Sequence, residues 1–296
     1  MELKQLEYFM AVCRELHFTR AAEKLGISQP SLSQQIRLLE HEMGTPLFDR
    51  IGKRTVITEA GKTLLHHGYN VFHEIAQART AISELQGLQR GSLKIGALLT
   101  VVNYLLPPAV ISFHHNYPKV ELSILGLRTG DIYNGLLQNE LDLGIVMLPV
   151  VHEDLEAIPL CEQNLAFAAP VDHPIANQPF VTLHVLKEYP SVLLPNTYQL
   201  RQLINDECRE LAFAPKPALE MTTMESIVNM VSKGVGITIL PKPYLDYMDH
   251  QQVRTIPIDQ PALKTHMGIV YRKNKHMCAA SRVFMEQLIE TVTTSS

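Results

Sequence analysis

Residues 18–37 read FTRAAEKLGISQPSLSQQIR, and no other stretch narrows the possible folds as far. The run holds two short amphipathic helices with a tight turn between them. Ala21 and Ala22 are small enough for close helix packing. Gly26 stands where the first helix should stop, because glycine takes the left-handed conformation at little cost. Ser28 suits the N-cap of the second helix, and Pro30 suits its first turn. Leu32, Ile36 and Leu39 fall at i, i+4 and i+7 and mark a buried face. Gln29, Ser33, Gln34 and Arg37 fall on the other side, where side chains of these types hydrogen-bond base edges and phosphates in a major groove. This is the arrangement of a helix-turn-helix with its recognition helix second. The same spacing also fits a plain two-helix hairpin, so the neighbouring residues must decide.

The neighbours favour a nucleic-acid reader. Leu3, Leu6, Phe9 or Met10, Cys13 and Leu16 form a helical stripe that would complete a three-helix core. After the second helix, Gly44 and Pro46 break the chain, and Leu47 and Phe48 are apolar anchors. IGKR then reads as a turn and TVIT as a short strand, a small hairpin or wing. Arg50, Lys53 and Arg54 sit at or near its tip, suited to phosphates or a minor groove. A solvated basic turn would look the same in isolation. Residues 1–90 hold 11 Lys+Arg against 10 Asp+Glu, and the remainder 15 against 20, within a net charge of −4. That asymmetry is mild, so the argument rests on the placed residues and not on bulk charge.

Residues 59–89 contain no proline and predict one long helix of roughly 45 Å. Leu64, Gly68, Val71, Ile75, Ala78, Ile82 and Leu85 are spaced 4, 3, 4, 3, 4, 3, a heptad seam with only Gly68 out of character. A narrow seam of this kind predicts pairing with a second copy, or packing on the chain's own C-terminal part. Pairing would set two recognition helices on one two-fold DNA site.

From residue 91 short strands alternate with helices. SLKIGAL, VELSILGL, LDLGIVM, NLAFAAP, YPSVLLP, GITIL and HMGIVY read as strands, and MESIVNMVSKG and a final segment as helices. The alternation predicts an α/β fold with mostly parallel sheets in two subdomains. Crossovers fall near residues 162–163 and 263–265, and a ligand would bind at the carboxyl ends of the strands. Thr100, Thr129 and Thr197 sit where strands give way to helices, as carboxylate or other anion ligands or as ordinary N-caps. Arg128 and Arg201 are placed to pair with an anion, or to form a structural ion pair. Leu99, Val146, Met147 and Met224 would line an apolar wall, with core packing the other role open to them.

Taken together, LEYFMAVCRELHFTRAAEKLGISQPSLSQQIRLLEHEMGTPLFDR, the TEAG that opens the long helix, GSLKIGAL, NELDLGIV and SKGVGITILP resemble the LysR-type transcriptional regulators along nearly the whole chain. The resemblance implies an N-terminal winged helix-turn-helix domain over residues 1–58, with the helix-turn-helix at 18–37. A dimerising linker helix follows over 59–90. Residues 91–296 then form an α/β effector-binding domain like a periplasmic binding protein, with subdomain I at 91–162 and 266–296 and subdomain II at 163–265. Carried over, the DNA-facing positions are Thr19, Gln29, Pro30, Ser31, Ser33, Gln34 and Arg37, with Arg50, Lys53 and Arg54 in the wing. Thr100, Thr129 and Thr197 match effector-contacting positions. The expected partners are a dyad operator in double-stranded DNA, a second copy, a tetramer of copies, and RNA polymerase at the promoter. The expected ligand is a small-molecule co-inducer, a carboxylate in this reading, with no other cofactor. Gln199 stands where peroxide-sensing members carry a reactive cysteine, so a thiol–disulfide switch of that design is not expected.

Other classes have less support. MELKQLEYFM lacks the pattern of a signal peptide, no run of 18 apolar residues occurs, and Cys13, Cys161, Cys208 and Cys278 form no CxxC pair. These features predict a cytoplasmic protein without membrane contact or structural zinc. His66–His67 and His114–His115 are adjacent pairs and poor metal ligands, since adjacent helical residues do not share a face. No GxSxG, HExxH or Walker A pattern is present, so no enzyme is expected. The competing reading is a cytoplasmic solute-binding module without a regulatory role.

Overall fold

A computed structural model describes residues 1–51, 54–84, 91–259, 261–273, 275 and 277–295. The chain divides into two compact units, Met1–Leu85 and Gln86–Ser296.

The first unit opens with three helices, α1 (Leu3–Glu15), α2 (Phe18–Leu25) and α3 (Gln29–Met43). Gly26 ends α2 at φ 67°, and the Ser28 hydroxyl caps α3 by accepting from the Ser31 amide. Leu32, Ile36 and Leu39 are buried, as their spacing requires, against Leu6, Phe9, Ala21 and Ala22. The α1 stripe differs from the sequence reading: Val12 is buried, whereas Leu3 and Leu16 are about half exposed. Leu16 has left the helix, taking the left-handed cap position. Strands β1 (Phe48–Ile51) and β2 (Arg54–Ile57) pair antiparallel, with Ile51 opposite Arg54. The strands therefore reach further into IGKR than the sequence reading of a four-residue turn.

The wing is fastened at its base. The Glu40 carboxylate accepts from the Leu47 and Phe48 amides at 2.9 and 3.2 Å. Phe48 stacks obliquely on Phe9 and edge-on to Phe18. Thr58 precedes helix α4 (Glu59–Glu84), and its hydroxyl accepts from the Gly61 amide. A Cβ on Gly61 would lie 2.3 Å from the Leu47 carbonyl oxygen, so only glycine fits under the wing. At Gly68 the helix comes close to α1, and a Cβ there would stand 3.2 Å from the Leu6 side chain and 3.3 Å from the Met10 sulfur. The first half of the heptad seam, Leu64 and Val71 included, thus packs on the unit's own core. Ala78 is exposed, nothing is described of the Ile82 side chain, and Leu85 lies outside the described residues.

The second unit is built on strands β3 (Gly91–Leu98), β4 (Val120–Leu127), β5 (Leu143–Met147), β6 (Leu155–Pro170), β7 (Val192–Leu193), β8 (Leu219–Glu220), β9 (Thr238–Pro241), β10 (Val253–Pro257) and β11 (Lys264–Arg272). Its helices are α5 (Leu99–Tyr104), α6 (Pro107–Asn116), α7 (Thr129–Leu137), α8 (Val185–Glu188), α9 (Gln199–Glu210), α10 (Met224–Ser232), α11 (Lys242–Met248) and α12 (Ala279–Ser295). Strands β3, β4 and β5 are mutually parallel, but β11 joins them antiparallel, and β6 pairs antiparallel with β11, β9 and β10. The sheets are therefore more mixed than the alternation of elements predicts. The reason is that β6 and β11 run side by side from one lobe into the other. Two cores result. One gathers β3, β5, α6 and α12 around Ile95, Phe113, Ile269 and Phe284. The other gathers β6, β9, α9 and α10 around Phe167, Ile204, Val228 and Ile239. Pro107 and Pro108 start a new helix after α5, because proline suits a first turn and not an interior.

Candidate functional site

Two sites follow from this architecture. On α3, Gln29, Pro30, Ser31, Gln34 and Arg37 are exposed, as is Thr19 on α2. Ser33 does not join them. It is 6% exposed, and its hydroxyl accepts from Gln29 Nε2 at 2.8 Å. Arg37 Nε donates to the Ser33 carbonyl oxygen at 3.3 Å. Ser33 thus steadies the two exposed side chains from beneath, one turn away on either side. Arg50 and Arg54 lie on the two wing strands, though nothing is described of their side chains, and Lys53 falls outside the described residues.

The second site is a cleft of about 850 Å³ at the carboxyl ends of β3, β4 and β5. Of the effector-site residues expected from sequence, Leu99, Thr100, Arg128, Thr129, Met147, Thr197 and Met224 line it. None of the three threonines is a cap: α5, α7 and α9 have Leu98, Arg128 and Tyr198 at that position, without a side-chain bond. The capping alternative therefore fails for all three, which line the cleft instead. Thr129 Oγ1 donates instead to Gln199 Oε1 at 3.0 Å, joining α7 of one lobe to α9 of the other.

Two expected residues are elsewhere. Val146 is fully buried on the far face of β5 with Ile132, Leu136 and Val270. Neighbours on a strand point to opposite faces, so Val146 and Met147 cannot both reach the cleft. Arg201 is 3% exposed and faces away from the cleft. Its guanidinium donates to the Leu194 carbonyl and to Asn205 and Glu220 at 2.8, 2.8 and 3.0 Å, a structural role.

Sequence reasoning missed several residues of the wall. Tyr104, Gln163, Thr222, Thr223, Tyr244 and Thr265 also line the cleft. Tyr104 and Tyr244 meet edge to face across the lobes, with ring centroids 5.9 Å apart. Burial, with Glu225 and Tyr247 adding to it, pushes the Tyr244 phenol up to about 12, so it is neutral at physiological pH. Asp131 and Glu225 are also in the lining, in the first turns of α7 and α10. Only the Gln163 and Thr265 positions carried a signal in the sequence, because both fall at the expected crossovers.

Comparison with known proteins matches each site to one family. A family model described as the bacterial regulatory helix-turn-helix protein, lysR family, matches residues 3–62, and the LysR substrate binding domain matches residues 86–293. The chain belongs to the LysR family of transcriptional regulators. Similar relatives include the transcriptional dual regulator GltC of Bacillus subtilis, 32% identical over 98% of this chain and 97% of its own length. The DNA-binding transcriptional dual regulator OxyR of Escherichia coli is 31% identical over 99% of this chain and 95% of its own. Among solved structures, a full-length OxyR from Pseudomonas aeruginosa superposes with a TM-score of 0.75 at 27% identity, covering 99% of this chain and 94% of that one. This LysR-family regulator is accordingly a DNA-binding transcriptional regulator with a ligand-binding domain. No helix among the described residues is long and apolar enough to cross a membrane.

Proposed function

We propose that this regulator binds a dyad operator as a dimer joined through α4, assembles as a tetramer, and answers to a small organic acid held in the cleft. Gln29, Gln34 and Arg37 read bases and phosphates, with Thr19, Pro30 and Ser31 beside them. Ser33 acts by holding Gln29 and Arg37. Arg50, Lys53 and Arg54 anchor the wing to the DNA backbone. In the cleft, Thr100, Thr129 and Thr197 offer hydroxyls and Arg128 offers a guanidinium to a carboxylate, and Leu99, Met147 and Met224 cover its apolar part.

The observation that carries this reading is the Thr129–Gln199 bond between lobes, made by residues that also line the cleft. A ligand that competes for Thr129 changes what holds the lobes together. A ligand shifts such an equilibrium only by its difference in affinity for the two arrangements. The altered lobe angle would change the spacing of the DNA-binding units in the oligomer and their contact with RNA polymerase at the promoter. The setting is the cytoplasm, where both DNA and metabolites are at hand.

Thermal-shift titration of the full-length protein against a panel of metabolites tests the ligand class. Selective stabilisation by carboxylic acids, growing with the logarithm of concentration above Kd, is the expected result. Stabilisation only by cationic or neutral compounds would refute it.

A further inference from the structure

The floor of the cleft carries a polar pair that the reading above leaves unused. Thr265 on β11 stands opposite Gln163 on β6, at the level where both strands pass between the lobes. Residues directly opposite on an antiparallel pair share a face. Here that face is the cleft, while the adjoining Glu162 and Lys264 pair with each other at 2.6 Å on the other side. Thr265 is 3% exposed and Gln163 4%.

Both hold donor capacity that the protein leaves free or uses only weakly. The Thr265 hydroxyl is buried with no hydrogen-bond partner among the described residues. Ser191 and Thr238 share that condition, but neither lines the cleft. A buried group without a partner calls for a reason. Gln163 Oε1 accepts from the Tyr104 hydroxyl at 2.8 Å. Burial raises the Tyr104 phenol well above its ordinary range, so it stays protonated and remains a donor. The amide is thereby fixed with Nε2 turned away from Tyr104. That nitrogen carries two hydrogens, and its contact among the described residues is Cys161 Sγ at 3.8 Å, a weak acceptor.

We infer that Gln163 and Thr265 form a donor subsite at the hinge for a second acceptor oxygen of the effector, which makes that effector a dicarboxylic or oxo-carboxylic acid. The inference rests on the cleft being the organic-acid site. One carboxylate engages Arg128 and the threonines at the helix ends, and the second oxygen engages the floor. Because the pair sits on the two strands that join the lobes, an effector bound there touches the hinge itself.

Calorimetric titration of the full-length protein with glutarate and with pentanoate tests this, since pentanoate keeps the five-carbon chain and ends in methyl. Glutarate should bind about tenfold or more tightly than pentanoate, because a site built to bond an oxygen rejects the analogue lacking it. Thr265→Val and Gln163→Met should each bring glutarate towards the pentanoate value, while Thr265→Ser should keep the wild-type preference. The ligand-free melting temperature of Thr265→Val should equal or exceed wild type, since methyl replaces an unpaired buried hydroxyl of the same shape. Equal binding of the two acids overturns the subsite. So does an unchanged glutarate affinity in Thr265→Val and Gln163→Met when Thr100→Val or Arg128→Ala weakens it, and the organic-acid cleft then still stands. Failure of both acids to bind the wild-type protein contradicts the organic-acid reading and this inference with it.

Discussion

At the scale of single residues, burial decides which polar side chains serve the ligand and which serve the fold. Arg201 donates to three acceptors while almost wholly enclosed. Arg201→Ala should therefore destabilise the second unit by about 2–4 kcal/mol in denaturant melts, because it leaves the carbonyl of buried Leu194 without its donor, with little change in effector Kd. Cys208 makes a similar case. It is fully buried, and burial pushes its thiol up to about 11. The folded state holds the proton more tightly than the unfolded state, whose thiol titrates near the ordinary value of 9.0. Its contribution to stability is thus complete below about pH 9 and is lost as pH rises towards 11. Cys208→Ala should flatten that part of the stability profile. Near neutral pH only about one thiol in ten thousand is thiolate, so iodoacetamide should label Cys208 in unfolded protein and not in folded protein. The sequence could not separate Arg201 from Arg128, since both stand near helix starts. Strand alternation alone puts Val146 and Met147 on opposite faces, but which of the two meets the cleft depends on how the strand sits in the fold. Ser33 fell on the polar side of α3 by spacing, yet three-dimensional packing covers it and turns it into a support for Gln29.

At the scale of elements, the glycines and caps were the most legible features. Gly26 and Ser28 stop and start helices by local chemistry that needs no partner. Gly61 was readable as part of a motif, but its reason is tertiary: the Leu47 carbonyl and the Ile57 side chain leave no room for a Cβ. Gly61→Ala should cost about 1–3 kcal/mol in chemical melts of the full chain, because a backbone carbonyl cannot step aside as a flexible side chain can. Operator affinity should fall with it as the wing shifts. Less legible were β10, α11 and the first half of β6. LEAIPLCEQ is interrupted by Pro159 and by charges, and its pairing with β11 across the lobes is a long-range contact with no local trace. The same pairing makes the sheets mixed, where alternation of strands and helices suggested parallel ones. Gly68 broke the heptad pattern for a reason outside the pattern, since α1 lies against it.

At the scale of the whole molecule, the chain couples a DNA-reading unit to a cleft unit. In the proposed function Arg37 serves the first and Thr100 the second. Footprinting of purified protein on the DNA upstream of its own gene, with and without a carboxylate that stabilises it, tests this division most directly. Wild type should give salt-sensitive protection centred on a dyad, changed in extent by the ligand. Arg37→Ala should weaken protection about tenfold or more in protein concentration with the melting shift by ligand intact. Thr100→Ala should protect the dyad as wild type does and lose the ligand-dependent change. Absence of dyad-centred protection, or the same defect in both variants, would contradict the account.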